Sequence, residues 1–380
     1  MSFILSDQQK MTLSMIRQYV DDEIRPMADE LDKKGEFPRE AYQKMTRYGL
    51  HAMTIPREFG GVGTDYLTFA MAIEEIAKAC VSTTMILGLT NSLTTYPVLA
   101  YGNEEQKQKY IGGISSGKYI NGFALTEPNA GSDAASQNTT AVLDGDEYVI
   151  NGTKTFITNV GLADYYVVFA MTDRSKGAKG ITAFIVDYPM DGFTLGKREK
   201  KMGLHGSHTG ELIFRNCRVP VSARLGKEGQ GFEIAMSALG GGRISVAAQS
   251  VGVAQGALDE AVKFVKQREQ FGKPISKNQA VQFMLADMEV DIEAGRSLYQ
   301  RAAILKDNGL PYDKEGSIAK LFCSEMANRV VAQAVQLHGG YGFSSEYPVE
   351  RMYRDARVLT IFEGTSEIQR LVISRAVLKR

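Results

Sequence analysis

Tyr165-Tyr-Val-Val-Phe-Ala-Met171 and, after a spacer rich in Gly and Lys, Ile181-Thr-Ala-Phe-Ile-Val186 are the two runs on which the fold turns. Both are short, β-branched and aromatic, a composition that suits strands. Just upstream, between Thr139 and Thr158, two further runs flank Asp144-Gly145-Asp146, a sequence that suits a tight hairpin turn. From Ile120 to about Lys227 the spacing therefore predicts a compact antiparallel β domain. Outward from it, on both sides, the periodicity becomes helical. Between Ser6 and about Lys118, Met11, Met15 and Ile16, then Val20 and Ile24, recur at three- and four-residue steps, and Phe69–Ala79 repeats the pattern with Glu74, Glu75 and Lys78 on its polar side. Ser6 and Gln9 have capping-box spacing ahead of the first helix. Beyond Gly231, Phe232–Arg268, Gln279–Lys306, Lys314–His338 and Ser366–Lys379 read as four long helices, with Pro274, Pro311 and Pro348 near the interruptions. Short connections between long helices predict a four-helix bundle. The expected fold is mainly α with a central antiparallel β domain: residues 1–120 helical, 121–230 β, and 231–380 a C-terminal helical bundle.

The chain has 380 residues, enough for two or three domains of roughly 150 residues with a real core. Forty-four basic residues balance forty-four acidic ones, so there is no bulk field to recruit a polyanion, and nucleic acid is not an expected partner. With 44% apolar and 23% charged residues, the composition is that of a globular protein rather than a disordered one. Cys80, Cys217 and Cys323 form no CxxC pair, which fits a reducing compartment and neither a disulfide framework nor a thiolate metal site. Met1–Gln18 lacks the charged and apolar regions of a signal peptide, and no apolar run is long enough to span a bilayer, so the expected location is cytoplasmic.

Familiar ligand motifs give little. Gly112–Lys118 has GxxxxGK spacing, but Tyr119 stands where a Ser or Thr should hold magnesium, and a turn closing the helical region accounts for it better. No GxGxxG follows a strand and opens a helix. His205 and His208 are three apart without a carboxylate at ligand spacing, so a loop pair is expected rather than a metal site. His51 and His338 lie in no nucleophile-like context.

More informative is Phe123-Ala-Leu-Thr-Glu-Pro-Asn-Ala-Gly-Ser-Asp133, where a strand ends in a polar, glycine-containing loop able to offer backbone N–H groups and hydroxyls to a flat or phosphorylated ligand. It is followed by Phe156-Ile-Thr-Asn159, Arg268-Glu-Gln-Phe-Gly-Lys-Pro274, Gln336-Leu-His-Gly-Gly-Tyr-Gly-Phe343 and Ile361-Phe-Glu-Gly-Thr-Ser-Glu-Ile-Gln-Arg370. In this order and spacing the strings resemble the acyl-CoA dehydrogenase family over essentially the whole chain, most closely its short-chain, butyryl-CoA-type branch, including members that work with electron-transfer flavoprotein in bifurcating complexes.

The resemblance implies a helical domain, a β domain and a C-terminal four-helix bundle, a homotetramer, one FAD per subunit, an acyl-CoA substrate and electron-transfer flavoprotein as partner. By the same resemblance, Phe123, Leu125, Thr126, Gly131 and Ser132 run along the flavin, with Thr126 near the ring and Ser132 near the CoA as well. Phe156 packs on the isoalloxazine, next to Ile157, and Thr158 bonds near its reactive nitrogen. Arg268, Phe271, Gln279 and the backbone of Gln336, Leu337, His338, Gly339 and Gly340 match positions at the FAD pyrophosphate and adenine, partly from a neighbouring subunit. Thr365, Ser366 and Glu367 match another FAD contact; Gly240, Gly241, Gly242, Arg243 and Gly364 match the substrate segment. Glu363 matches the catalytic base, and Ser366 with Gln369 has capping-box spacing that puts Glu363 on the loop before a helix. The α-proton of a saturated thioester is weakly acidic, so removing it needs a carboxylate held against it and a hydrogen-bonded carbonyl.

The chain departs from the family pattern at several points. Gly240 stands where many relatives carry an acid, so a carboxylate on the CoA chain is expected to be missing. His205 stands where Arg is common. Gly88 and Gly210 replace larger residues and could enlarge the acyl cavity for a branched or aryl group, as in a caffeoyl-CoA-type reductase; loop geometry alone is the alternative. Lys197, Arg198, Lys200 and Lys201 could attract phosphates or a partner, with a solvated loop as the alternative. The implied activity is FAD-dependent interconversion of a short-chain acyl-CoA and its trans-2-enoyl-CoA, with an arylacrylyl-CoA reductase, an acyl-CoA oxidase and a non-catalytic scaffold as rivals. The sequence contains no Trp, and Phe156 takes the place against the flavin that many relatives give to Trp.

Overall fold

The computed structural model describes residues 5–36 and 39–379; the first four residues of the Met1–Gln18 stretch and the last residue of the expected bundle lie outside them. Ser6 caps α1 (Asp7–Tyr19) with the expected reciprocal box, its hydroxyl accepting the Gln9 N–H at 3.2 Å while Gln9 Oε1 accepts the Ser6 N–H at 3.0 Å. The stripe that turns inward is Leu13, Ile16 and Tyr19, continued by Val20 and Ile24, whereas Met11 is 67% exposed and faces solvent. After α2 (Arg25–Lys34), α3 (Arg39–Arg47), α4 (Tyr66–Ala77), α5 (Val81–Gly88) and α6 (Thr95–Tyr101), the short α7 (Glu104–Gln106) and α8 (Gly112–Ser115) lead into the sheet. The GxxxxGK stretch is α8 plus a turn at Gly117 (φ 72°), with the Tyr119 ring so close over Gly113 that a Cβ there would lie 2.1 Å from it.

The strands are β1 (Asn121–Ala124), β2 (Thr140–Asp144), β3 (Glu147–Thr158), β4 (Tyr165–Met171), β5 (Ile181–Asp187), β6 (Phe193–Arg198), β7 (Thr209–Pro220) and β8 (Arg224–Leu225). They form one sheet in the order β6-β7-β3-β2-β4-β5-β8, with β1 beside β4. The hairpin at Gly145-Asp146 is as expected, with Asp144 opposite Glu147. Most pairs are antiparallel, but β1 runs parallel to β4 from Asn121↔Tyr165 to Ala124↔Val168, and β2 meets β4 in parallel at Thr140↔Met171. The sheet is thus mixed at its centre. The reason is legible in β4 itself: all seven of its residues are buried, Tyr165, Val167 and Phe169 in one core and Tyr166, Val168 and Ala170 in another. A strand covered on both faces reads as an unbroken apolar run, which is how parallel partners are accommodated.

The C-terminal helices are α9 (Gly231–Gln267), α10 (Gln279–Asp307), α11 (Asp313–His338), α12 (Pro348–Ala356) and α13 (Ser366–Leu378). Pro348, placed by the sequence at an interruption, is also the first residue of α12, where a missing N–H costs nothing. The first and last helical regions share a single core, in which Ile16, Phe69 and Ile73 join Val246, Ala254, Ile292 and Ala327. At 37 residues α9 is about 55 Å long, and α4 crosses it backbone to backbone: a Cβ on Gly252 would lie 2.4 Å from the Glu74 carbonyl oxygen, and one on Gly256 2.3 Å from that of Lys78. Among the described residues no helix is long and apolar enough to cross a membrane.

Candidate active site

Three glycines in a row on α9, Gly240-Gly241-Gly242, would be a poor choice for a helix interior on propensity alone. Each faces a side chain that would have to shift to admit a Cβ. A Cβ on Gly242 would lie 2.1 Å from Glu363 Oε2 and 3.0 Å from Leu93; on Gly241 it would meet the Tyr66 hydroxyl at 3.0 Å, which already donates to the Gly241 carbonyl at 2.8 Å; on Gly240 it would meet Asp313 Oδ1 at 2.9 Å. A carboxylate at position 240 would face Asp313, so the acid expected to be missing there has a carboxylate in front of it, supplied from the start of α11.

Glu363 sits on the loop before α13 with φ 53°, followed by Gly364 at φ 94°. Its Oε2 is buried and has no hydrogen-bond partner. Burial pushes the carboxyl up to about 7, against the opposing pull of Lys320 and, after it, Arg243. Arg243 is itself buried, with Nη1 3.4 Å from Ser317 Oγ and Nε unpaired. Lys320, on α11, is fully enclosed and donates to the Gly364 carbonyl at 2.7 Å; burial brings its ammonium down to about 8. The helix start differs from expectation. Thr365 is the cap, its hydroxyl accepting the Ile368 N–H at 3.4 Å, and Ser366 is the first helical residue with its Oγ unpartnered. Gln369 does not close a box because its amide turns back to the Glu363 and Gly364 carbonyls, at 3.3 and 2.9 Å.

On the sheet side, Phe123 packs with Leu89, Leu93, Ala238 and Leu239, and Leu93 also faces Gly242, so the end of β1 and Glu363 share a wall. Lys154, fully buried on β3, donates to the Leu125 carbonyl at 3.1 Å, Glu127 Oε1 at 2.8 Å and Gln137 Oε1 at 2.9 Å; Glu127 in turn accepts the Asn138 and Thr139 N–H groups. Lys154 was missed by sequence reasoning, although a Lys inside a strand whose neighbours read as buried was the available signal. It ties the Thr126 loop to β3, where the Thr155 N–H also donates to the Thr126 carbonyl at 2.9 Å. One residue on, Phe156 is 64% exposed at φ 56°. Ile157 is buried in the sheet core and can offer only its backbone, as can Leu125; Thr158 is half-buried, and Gly131 and Ser132 are exposed.

Among the described residues, six other than glycine have positive φ: Phe156, Asn159, Leu204, Asn216, Phe271 and Glu363. Three of them, Phe156, Phe271 and Glu363, are residues the sequence picked out, and such backbone strain is retained where surroundings enforce it for function.

The remaining candidates lie elsewhere. Arg268 is 25 residues along α9 from Arg243, roughly 37 Å away. There it stands 5.5 Å over the Tyr341 ring; Gln279, Gln336, Gly339 and Gly340 are exposed, and Phe271 is 99% exposed. Leu337 is buried, and the buried His338 side chain bonds the Ala334 carbonyl and stacks on Phe264 at 4.3 Å, so this segment too presents backbone. One chain therefore carries two separate clusters, one around Glu363 and Phe156 and one around Arg268. A cavity of about 280 Å³ adjoins the first, bordered by Tyr66, Ser92, Tyr96, Ser237, Gly241 and Lys306.

His205 bonds the Lys201 carbonyl and lies 2.9 Å from Asp32, and burial lowers His208 to about 4. Among the described residues no three metal-ligating side chains converge. In the basic cluster, Arg198 bonds the Gly35 carbonyl, Lys201 the Ser207 carbonyl at 2.7 Å, and Lys197 pairs with Glu199. Gly210 is fixed by the close approach of β6, since a Cβ would lie 2.6 Å from the Lys197 carbonyl; it enlarges no acyl cavity. At Gly88 there is ordinary room, with Gln249 3.7 Å from a built Cβ.

Comparison with known proteins gives a coherent result. The chain matches the acyl-CoA dehydrogenase N-terminal domain over residues 6–118, the middle domain over 122–217 and the C-terminal domain over 229–378. It is 48% identical to the short-chain-specific acyl-CoA dehydrogenase of Clostridium acetobutylicum, covering 100% of both chains. It is also 48% identical to a subunit of the caffeyl-CoA reductase–Etf complex of Acetobacterium woodii, covering 99% of each. Among solved structures it superposes on butyryl-CoA dehydrogenase from Megasphaera elsdenii with a TM-score of 0.98 at 45% identity, covering 100% of both.

Proposed function

Since the chain belongs to the acyl-CoA dehydrogenase family, we propose that it interconverts a short-chain acyl-CoA and its trans-2-enoyl-CoA, with FAD as cofactor and Glu363 as the base. The observation that carries this is the Glu363 carboxyl: buried, without a donor on Oε2, and raised to about 7, so that it is available as a base near neutral pH.

The residues present fit FAD. The Phe156 ring stands in solvent on a strained backbone, as a stacking face for a flat ring would, and a Cβ at Gly131, Gly339 or Gly340 would meet nothing within 4 Å, leaving backbone open to a ligand. FAD held by these residues would supply the acceptor for the hydride that leaves the β-carbon. Glu363 takes the α-proton on Oε2, which has no donor to compete for its lone pair. Gly242 lets the carboxylate lie flat against α9, and Lys320 and Arg243 supply counter-charge to it. In the reducing direction Glu363 returns the proton to the α-carbon by the same geometry. Leu93, packed with Phe123 and Leu89 in one apolar group, also borders Gly242, against which the carboxyl rests.

We place Arg268, Phe271, Gln279 and Gln336–Gly340 at the FAD of a neighbouring copy in a homotetramer, because Arg268 lies roughly 37 Å along α9 from Arg243, one of the two cations that act on Glu363. The exposed rings of Phe271, Phe283 and Phe343 support an assembly that covers this face. Electron-transfer flavoprotein is the proposed electron partner, following the relative named for an Etf complex. Three unpaired, buried cysteines support a cytoplasmic location. We also propose the division near residues 120 and 230, supported by all eight strands of the large sheet lying between Asn121 and Leu225. A panel of saturated acyl-CoAs mixed anaerobically with the holoenzyme tests the assignment: butyryl-CoA should bleach the flavin fastest. No bleaching by any short acyl-CoA contradicts it, fast turnover of arylacrylyl-CoA alone selects the aryl reading, and stoichiometric peroxide in air selects the oxidase.

A further inference from the structure

Among the described residues two lysines are fully enclosed, Lys154 and Lys320, and they are held differently. Lys154 has the Glu127 carboxylate at 2.8 Å. Among the described residues, Lys320 has no carboxylate at ion-pair distance; it donates to the Gly364 carbonyl at 2.7 Å. An ammonium without an ion pair is costly to enclose, so its retention beside the base calls for an account.

Gly364 O receives two donors, Lys320 Nζ and Gln369 Nε2, and Gln369 also reaches Glu363 O. The two carbonyls that follow the Glu363 and Gly364 α-carbons are therefore pinned where φ is 53° and 94°. The carboxylate itself is left alone at Oε2. A donor placed on that oxygen would favour the ionised form but occupy the lone pair the substrate proton needs; a cation nearby that bonds elsewhere favours ionisation and leaves the lone pair free.

We propose that Lys320 is the positioning residue of Glu363: through the Gly364 carbonyl it fixes where the carboxylate points, and its ammonium provides counter-charge without hydrogen-bonding the carboxylate. This rests on Glu363 being the base. The charged and titratable groups that act on Glu363 or respond to it are Lys320 from α11, Arg243 from α9 and Tyr66 from α4. Of the cations, Lys320 exerts the larger pull. Arg243 also responds to Asp313 and Tyr312, and Lys320 to Glu367 and Glu325, so neither cation serves Glu363 alone.

The test is an isotope-edited infrared titration of the Glu363 carboxyl in the holoenzyme, with the band assigned by its loss in Glu363→Gln, alongside the pH dependence of flavin bleaching by butyryl-CoA. Lys320→Gln can keep a donor to Gly364 but lacks the charge. Its infrared midpoint and the acid limb of its bleaching rate should both move up by about one pH unit, with KM near that of the parent. Lys320→Arg keeps the charge and should leave the midpoint in place. Gln369→Leu removes a neutral donor and should lower the rate at every pH without moving the midpoint. A folded, flavin-bearing Lys320→Gln with the parental midpoint overturns the proposal, as does Lys320→Arg moving it equally far. If Lys320→Gln does not fold, Lys320→Arg and Gln369→Leu decide, and a midpoint shifted by either overturns it. The infrared midpoint is independent of turnover, so loss of the base assignment, seen as full-rate bleaching by Glu363→Gln, is distinguishable from loss of this one.

Discussion

Gly242 carries no side chain because Glu363 occupies the space one would take. The obstructing atom is the end of a flexible side chain, so Gly242→Ala should fold and bind flavin while displacing the carboxylate. Turnover should fall by about 10–100-fold with little change in melting temperature; a variant with parental kcat would show that the carboxylate need not rest there. The pH dependence follows from the same residue. Glu363 works deprotonated and its carboxyl is raised to about 7, so kcat/KM should rise with pH through a midpoint near 7. A limb centred near 4.5 would mean the carboxyl is not buried in the free enzyme. At this scale the sequence told much: Glu363 and Phe156 were marked by the resemblance, and both prove to be strained and oriented. Lys320 was not legible, because a lysine in a helical pattern is read as solvated until the elements packed over it are known; Lys154 left only the faint signal of a lysine inside a strand whose neighbours read as buried.

Among the elements, α9 and the β1 loop decide how the site is held. The α4–α9 crossing at Gly252 brings a carbonyl within 2.4 Å of a built Cβ, and a backbone atom cannot swing aside. Gly252→Ala should therefore destabilise the fold by about 1–3 kcal/mol or more in urea denaturation, with the surviving folded fraction still binding flavin. Lys154→Met leaves Glu127 buried without its counter-charge; it should cost about 3–5 kcal/mol and loosen the Thr126 loop, measured as faster flavin release. The elements themselves were largely legible, since helices of 26 to 37 residues repeat their period many times. The parallel placement of β1 against β4 was not, because strand direction is set by the connection and not by composition. Nor was the true start of α13, where Gln369 serves the loop in place of the cap.

For the whole molecule, the separation of the Arg268 cluster from the Glu363 cluster has a direct consequence. If Arg268 serves a neighbour's cofactor, chains carrying Arg268→Ala and chains carrying Glu363→Gln, each inactive alone, should regain part of the turnover when co-assembled, since one class of mixed site then has both residues. No recovery in verified mixed oligomers would place Arg268 on its own chain's cofactor. Zero net charge, which made a polyanion an unexpected partner, is compatible with anionic FAD and CoA, since single enclosed cations and open backbone N–H groups can meet such ligands locally. The most direct test of the central claim is anaerobic stopped-flow bleaching of the flavin by butyryl-CoA, comparing the parent with Glu363→Gln at equal flavin content. Loss of at least about a thousandfold in rate, with acyl-CoA still bound, is the predicted result; bleaching within a few-fold of the parental rate would contradict Glu363 as the base.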